Sequence, residues 1–256
     1  MPAAPDLDEL LAVAVDVATA AGALLLSRAP LARTSVETKS SGTDMVTEVD
    51  RASEALIGAM LAERRPDDAL VGEEGTARPG TTGVRWIVDP LDGTTNYLYG
   101  FPVFAVSVAA ELDGSVVAGA VRDAVHDETF TAALDRGSWC NRRALRIAGP
   151  DALADALVGT GFAYDAGERR RQAARLPAVL PAVRDIRRGG AAALDLCWVG
   201  LGRLDAYFER GLQPWDSAAG GLVAAEAGAR VDTLADGTMV AAPPHLFDGL
   251  VALLGG

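Results

Sequence analysis

A mixed α+β / α/β fold in two closely packed halves is what this sequence predicts, and three observations carry the reading. Residues 7–27, LDELLAVAVDVATAAGALLLS, repeat their apolar positions at helical spacing. Residues 103–134 hold three apolar runs, VFAVSVAAEL, SVVAGAVRD and ETFTAAL, parted by turn residues such as Asp113-Gly114. Beyond about Asp151, strand-like and helix-like runs alternate, the pattern of an α/β half. The change near 145–150 divides the chain into an N-terminal half, 1–148, and a C-terminal half, 149–256, packed as one unit.

Each element follows in order. The first helix occupies 7–27. The polar, Gly/Ser-rich stretch from 36 begins as a loop, and a second helix runs from about Val46 to Arg65, stopped by Pro66. ALVGEEG (69–75) reads as a short strand running into acids, 76–84 as a loop, and RWIVD (85–89) as a second strand. The three apolar runs of 103–134 follow as strands. In the C-terminal half, 156–162 is a strand, 167–180 a helix with a solvated basic face, and 185–202 a strand leading into a helix. Residues 203–210 form another strand and 214–229 another helix.

Composition excludes several classes of function. Thirty-five acids against 23 bases give a net charge of −12, which disfavours a nucleic-acid-binding surface, since phosphate backbones are held by clustered Lys and Arg. A phosphate-bearing small molecule stays open, provided that cations bridge the two sets of negative charge. Two cysteines, Cys140 and Cys197, suggest neither a disulfide framework nor a Cys-rich metal site, and fit a reducing, cytoplasmic setting. The apolar N-terminal stretch lacks a basic leader and is interrupted by Asp16, so it reads as a core helix rather than a signal peptide or a membrane span.

Acids stand at the ends of apolar runs in four places: Asp50 in DMVTEVD, Glu73 and Glu74 in VGEEG, Asp89 and Asp92 in WIVDPLDGTTN, and Asp216 in QPWDSAAGG. Each alone has an ordinary explanation: a solvated helix residue, a polar loop, an Asp-Gly hairpin turn, a helix cap. Together, carboxylates gathered on rigid strand ends would repel one another unless cations neutralise them. Hard oxygen donors suit Mg²⁺, which keeps positions open for water and substrate phosphate. His126 and His245 lie far from these motifs, which argues against an imidazole-rich zinc site. If Gly93 and Thr94 open a helix, their backbone N–H groups can face an anion. The spacing fits neither the D-x-D-x-T of an aspartyl-phosphate phosphatase nor the alternate acids of an EF-hand loop.

WIVDPLDGTTNY resembles the signature of the inositol monophosphatase family of Mg²⁺-dependent, lithium-sensitive phosphatases. WDSAAGGLVAAEAGARV is similar to that family's C-terminal signature, DMVTEVD and VGEEG to its two earlier motifs in order, and IRRGGAAALDLCWVGLGRLDAYFE to its substrate-side segment. The resemblance spans essentially the whole chain. It implies a layered αβαβα sandwich of the sugar-phosphatase type, a homodimer, and two to three Mg²⁺ ions. It implies that Glu73, Asp89 and the Leu91 carbonyl hold one ion, that Asp89, Asp92 and Asp216 hold a second, and that Glu73 touches a third through water. Asp50 and Thr94 would orient and deprotonate the attacking water, and the N–H groups of Gly93 and Thr94 would receive phosphate oxygens. Gly190, Ala191, Ala192, Glu209 and Asp216 would contact the alcohol.

The chemistry implied is hydrolysis of a small polyol phosphate, with inositol 1-phosphate first among candidates. Histidinol phosphate and fructose 1,6-bisphosphate are alternatives within the family, and a 3′-phosphonucleotide is disfavoured for want of an aromatic platform. A regulatory or scaffold protein that keeps the fold is the alternative from another class. Family members commonly carry Ser or Thr where Ala191 stands, so a hydroxyl that could touch the substrate or cap a helix is missing. Lys39, the chain's one lysine, reads as a solvated loop residue that the resemblance puts beside the metals.

Overall fold

The computed structural model describes residues 5–34 and 42–255. Lys39 and the loop reading over 36–41 fall outside these residues, and from Gly42 the chain is already helical. Helices α1 (Leu7–Thr34) and α2 (Gly42–Arg64) are followed by β1 (Ala69–Gly72), β2 (Ala77–Arg78), β3 (Val84–Asp92) and the short α3 (Thr94–Tyr99). Then come β4 (Ala105–Leu112), β5 (Ser115–Asp123), β6 (Glu128–Ala133), β7 (Gly137–Cys140) and β8 (Arg143–Ala144). The C-terminal part is β9 (Leu157–Thr160), α4 (Ala166–Ala173), α5 (Leu176–Val179), β10 (Asp185–Arg187), α6 (Ala192–Leu201), β11 (Ala206–Arg210), α7 (Pro214–Glu226), β12 (Arg230–Thr233), β13 (Thr238–Ala242) and α8 (Pro244–Leu253).

Two sheets result. The larger has the order β2-β1-β3-β4-β5-β6-β7-β8, and β1–β3 is its parallel pair. The smaller has the order β10-β9-β11-β13-β12. Strand alternation then dictates the layers. Val88, Val106 and Val108 turn to one face of the large sheet and pack under α1 and α2, beside Leu10, Val17, Leu25 and Ile57. Ile87, Ala105, Ala109 and Phe130 turn to the other face and meet Leu194 and Cys197 of α6 and Val223 of α7. The far sides of α6 and α7, through Leu196, Val199 and Ala224, pack on Tyr207 and Ala241 of the small sheet. Phe208, Val158 and Val240 on its outer face meet Phe247 and Leu250 of α8. The molecule is therefore a layered αβαβα sandwich.

Burial explains the N-terminal helix. Over Leu7–Ala29 it is long and apolar enough to cross a membrane by length and composition. Leu10, Ala14, Val17, Ala18, Ala21 and Leu25 are nevertheless fully buried against the large sheet, at the i, i+4, i+7 spacing of one helix face. Each buried Leu or Val there contributes about 1.5–3 kcal/mol relative to exposure.

Several readings are corrected. The first helix continues past Ser27 to Thr34, through Pro30. The loop over 76–84 contains β2, which pairs antiparallel with β1. The Asp-Gly hairpin turn does not form: β3 runs on through Pro90 to Asp92, with an irregular register between Asp89 and Asp92, and a helix follows. The helix at 167–180 is two pieces, α4 and α5, separated at Ala174-Arg175. Pro177 heads the second and cannot donate to the first. Strands β7, β8, β12 and β13 and helix α8 were not foreseen; β8, at two residues, is too short to show a period.

Candidate active site

The irregularity in β3 brings two acids to one end of the large sheet. A regular strand would alternate faces, sending Asp89 and Asp92 to opposite sides. Instead the register slips between them, and both are buried against the same cavity. Ser53 of α2 anchors the distortion by donating to the Pro90 carbonyl at 2.9 Å. The other end of β3 is fixed independently. Asp68 accepts from Trp86 Nε1 at 2.9 Å and Thr82 Oγ1 at 2.6 Å and pairs with Arg65. Burial alone would raise the Asp68 carboxyl, but these partners hold it below its ordinary value.

A cavity of about 110 Å³ lies where the strand ends meet α6 and α7. Glu73, Asp89, Leu91, Asp92, Gly93, Thr94, Gly190, Ala192, Glu209 and Asp216 line it, so ten of the residues singled out from sequence share one wall. Phe162, Tyr164, Arg188 and Leu212 line it too and were missed. Only Arg188 left a trace in the sequence, a base set immediately before Gly-Gly. Asp50 and Ala191 are not among the lining residues. Ala191 is buried in the apolar layer under α6. Asp50 is buried on α2 near Glu73 and Glu74, and its Oδ1 has no hydrogen-bond partner among the described residues.

Backbone contacts hold the acids in place. Asp89 Oδ1 accepts from Leu91 N at 3.0 Å. Asp92 accepts from Ala192 N at 3.2 Å and Ala193 N at 2.8 Å, so the first turn of α6 binds a carboxylate from the other sheet. Asp216 accepts from Gln213 N at 2.6 Å, the return half of a capping box that starts α7. Glu54, fully buried and not singled out from sequence, accepts from Glu74 N and Thr76 N, both at 2.9 Å, and so fixes the turn that carries Glu73. Thr94 Oγ1 donates to the Leu91 carbonyl at 3.1 Å rather than to Asp50. Gly93 sits at φ 90°, and a Cβ there would lie 2.9 Å from the Val103 carbonyl oxygen, so only glycine suits this position.

The electrostatics are those of crowded, desolvated acids. Burial, followed by Glu74, Glu73 and Glu54, pushes Asp50 up to about 8. Burial and then Asp216 push Asp92 up to about 8 against the α6 amides. Asp89 is driven well above its ordinary value by burial and by Asp92, and it lies close enough to Glu73 to share a proton. Glu73, Asp216 and Glu209 are raised as well, each chiefly by burial. Such a set is ionised together only beside compensating positive charge. The donors are carboxylate and carbonyl oxygens with no imidazole or thiol among them, which fits Mg²⁺. Among the described residues no three acidic, His or Cys side chains are closed into a cage.

Comparison with known proteins agrees with this geometry. The model of the inositol monophosphatase family matches residues 6–252. Inositol-1-monophosphatase SuhB of Mycobacterium tuberculosis is 48% identical over 245 residues, covering 90% of this chain and 84% of the relative. A Nus factor SuhB of Pseudomonas aeruginosa is 38% identical over 262 residues, covering 96% and 95%. Among solved structures, Mycobacterium tuberculosis SuhB superposes with a TM-score of 0.87 at 44% identity over 98% of each chain. An inositol monophosphatase from Anabaena gives 0.85 at 33% identity, over 98% of this chain and 97% of that one.

Proposed function

The chain belongs to the inositol monophosphatase family and is a phosphoric monoester hydrolase; on that premise we propose that it hydrolyses a small polyol phosphate, inositol 1-phosphate first among candidates, with Mg²⁺ as cofactor. The observation that carries the proposal is the gathering of Glu73, Asp89, Asp92 and Asp216 on one cavity wall, each raised by burial. Glu73, Asp89 and the Leu91 carbonyl would hold one ion, Asp89, Asp92 and Asp216 a second, and Glu73 would touch a third through water. When bound, Mg²⁺ supplies positive charge for the phosphate and the leaving alkoxide and makes water more acidic.

The chain's own residues do the remaining work. The N–H groups of Gly93 and Thr94 receive phosphate oxygens. The open Oδ1 of Asp50 is a buried acceptor without a donor, a costly arrangement that a water proton would relieve. Asp50, with Thr94, therefore orients the attacking water and takes its proton. Glu209, Gly190 and Ala192 would meet the alcohol, with Ala191 buried behind them. The halves 1–148 and 149–256 work as one unit, since Asp92 of the first is held by amides of the second. Exposed Tyr99 and Phe101 support a homodimer, which a sedimentation measurement would test.

Phosphate release with Mg²⁺ from inositol 1-phosphate, histidinol phosphate, fructose 1,6-bisphosphate and a generic aryl phosphate tests the reading. Turnover of inositol 1-phosphate well above the aryl ester is expected; no preference among the four overturns the substrate assignment. A second reading, a regulatory protein that keeps the fold, draws support from the relative named as a Nus factor. It predicts function that survives loss of hydrolysis.

A further inference from the structure

Strands β9 and β11 run parallel, with Tyr207 opposite Gly159 and Phe208 opposite Thr160. Alternation along β11 puts Tyr207 and Glu209 on one face. The neighbouring chain has glycine at both matching positions, Gly159 within β9 and Gly161 just after it. A Cβ on Gly159 would stand 3.0 Å from Tyr207 Cδ2 and 2.6 Å from Leu204 Cδ1, and one on Gly161 would overlap both Glu209 carboxylate oxygens. The two glycines therefore leave a bare strip of backbone, across which the tyrosine ring and then the carboxylate lie flat.

The two side chains are also tied to each other. Tyr207 is fully buried, and its hydroxyl donates to Glu209 Oε2 at 2.5 Å. Burial, and then Glu209, raise this hydroxyl well above its ordinary value, so it keeps its proton and remains the donor. Burial raises Glu209 as well, while the bond from Tyr207 draws it back. Glu209 lines the cavity and Tyr207 does not. One oxygen of a flexible side chain is thus held from behind, and Oε1 accepts no hydrogen bond among the described residues.

A free glutamate loses rotamer freedom when it binds a ligand, which weakens binding; one already anchored loses it on folding instead. We infer that Tyr207 is a positioning residue: with Gly159 and Gly161 beneath the pair, it fixes Glu209 so that Oε1 is presented as a ready-made acceptor for a hydroxyl of the alcohol. Tyr207 acts only through Glu209 and touches no substrate. The inference rests on the reading of Glu209 as an alcohol contact, and it adds what holds that contact in place.

Two substitutions disturb the pair from opposite sides. Tyr207→Phe keeps the ring on Gly159 and removes only the hydroxyl. Gly161→Ala keeps the hydroxyl and drives the carboxylate off its seat; Gly161 is not at positive φ, so its backbone accepts alanine. The full chain and each variant are assayed with Mg²⁺ for kcat and KM on inositol 1-phosphate and on an aryl phosphate without hydroxyl groups. Both variants should lower the ratio of kcat/KM for inositol 1-phosphate to that for the aryl ester by about five- to tenfold, the scale of one hydrogen bond, with the change carried by KM. Glu209→Ala should lower the ratio at least as far, and adding Tyr207→Phe to it should lower the ratio no further. Equal falls on both substrates, or losses that add in the double variant, are the pattern of a structural role and would overturn the inference. An unchanged ratio in either single variant would overturn it too, as would a wild type that cleaves the aryl ester but no polyol phosphate. A wild type that cleaves neither would remove the phosphatase reading and the inference with it. Thermal melts check that the variants fold, and if Tyr207→Phe does not, Gly161→Ala decides the question alone.

Discussion

Replacing Asp92 by asparagine should make the metal-free protein more stable and the enzyme nearly inactive. The Asp92 carboxyl is pushed from 3.8 to about 8, first by burial and then by Asp216. At pH 7 the folded state therefore keeps it protonated across about three pH units in which the unfolded chain ionises, and each unit is worth about 1.4 kcal/mol. The cost to the metal-free fold is on the order of 4 kcal/mol. Asparagine removes that cost but can accept only one of the Ala192 and Ala193 amides, forfeiting about 1–2 kcal/mol. A net gain of about 2 kcal/mol remains, or about 4–8 °C in Tm for a chain of this size.

The sign of the pH dependence follows from the same shift. Between about pH 4 and pH 8 the folded state binds protons at Asp92 that the unfolded state has released, so stability falls as pH rises through this window. Asp50, raised to about 8 as well, adds in the same direction. Thermal melts in EDTA at pH 5 and pH 8 should show the wild type more stable at pH 5, and Asp92→Asn should lessen the difference. Adding Mg²⁺ at about a hundred times its Kd should raise wild-type stability by about 2.7 kcal/mol. The variant should respond much less, and phosphate release should fall by at least about a hundredfold. A variant less stable than wild type in EDTA at pH 8, or one with a full response to Mg²⁺, would refute the reasoning.

Three further substitutions separate binding from chemistry. Asp50→Asn should lower kcat by about a hundredfold or more, the usual scale for a general base. It should leave the Mg²⁺-dependent rise in Tm in place, and loss of that rise would move Asp50 into the metal site. Glu54→Ala releases the amides of Glu74 and Thr76 from a buried carboxylate, a cost of about 2–4 kcal/mol. Titration of activity should then need more Mg²⁺ for half-maximal rate, with an unshifted midpoint counting against a role in holding Glu73. Gly93→Ala forces a Cβ to within 2.9 Å of the Val103 carbonyl at φ 90°. It should lower both Tm and kcat/KM, and a variant of wild-type activity would show that the backbone there does not meet the phosphate.

The acid cluster of the cavity was readable because it is local. Asp89, Leu91, Asp92, Gly93 and Thr94 fall within six consecutive positions, and a register slip in one strand is enough to point both acids inward. Glu73 and Asp216 follow the same logic, each at the end of a short, strongly patterned element. The fold was readable where periods are long: α1, β5 and α7 were anticipated to within a few residues except at the end of α1. It was unreadable where elements are two to five residues long and owe their structure to neighbours, as with β2, β8 and the β12–β13 pair.

What the sequence did not show is what sits behind the acids or across from them. Glu54 is a helix residue whose carboxylate meets amides twenty and more positions away, a contact with no local signature. Asn96 reaches 93 residues along the chain to Gly189. Tyr164 is 78% exposed and looks like an ordinary surface tyrosine, until its hydroxyl meets Thr95 Oγ1 at the cavity mouth. Local motifs therefore specify the acid cluster, while the rest of the cavity wall is assembled by tertiary packing from Phe162, Tyr164, Arg188 and Glu209. Two chains with the same motifs can differ on that wall with no change in the chemistry. Substrate choice within this cavity is accordingly expected to follow Arg188 and Glu209 rather than the aspartates.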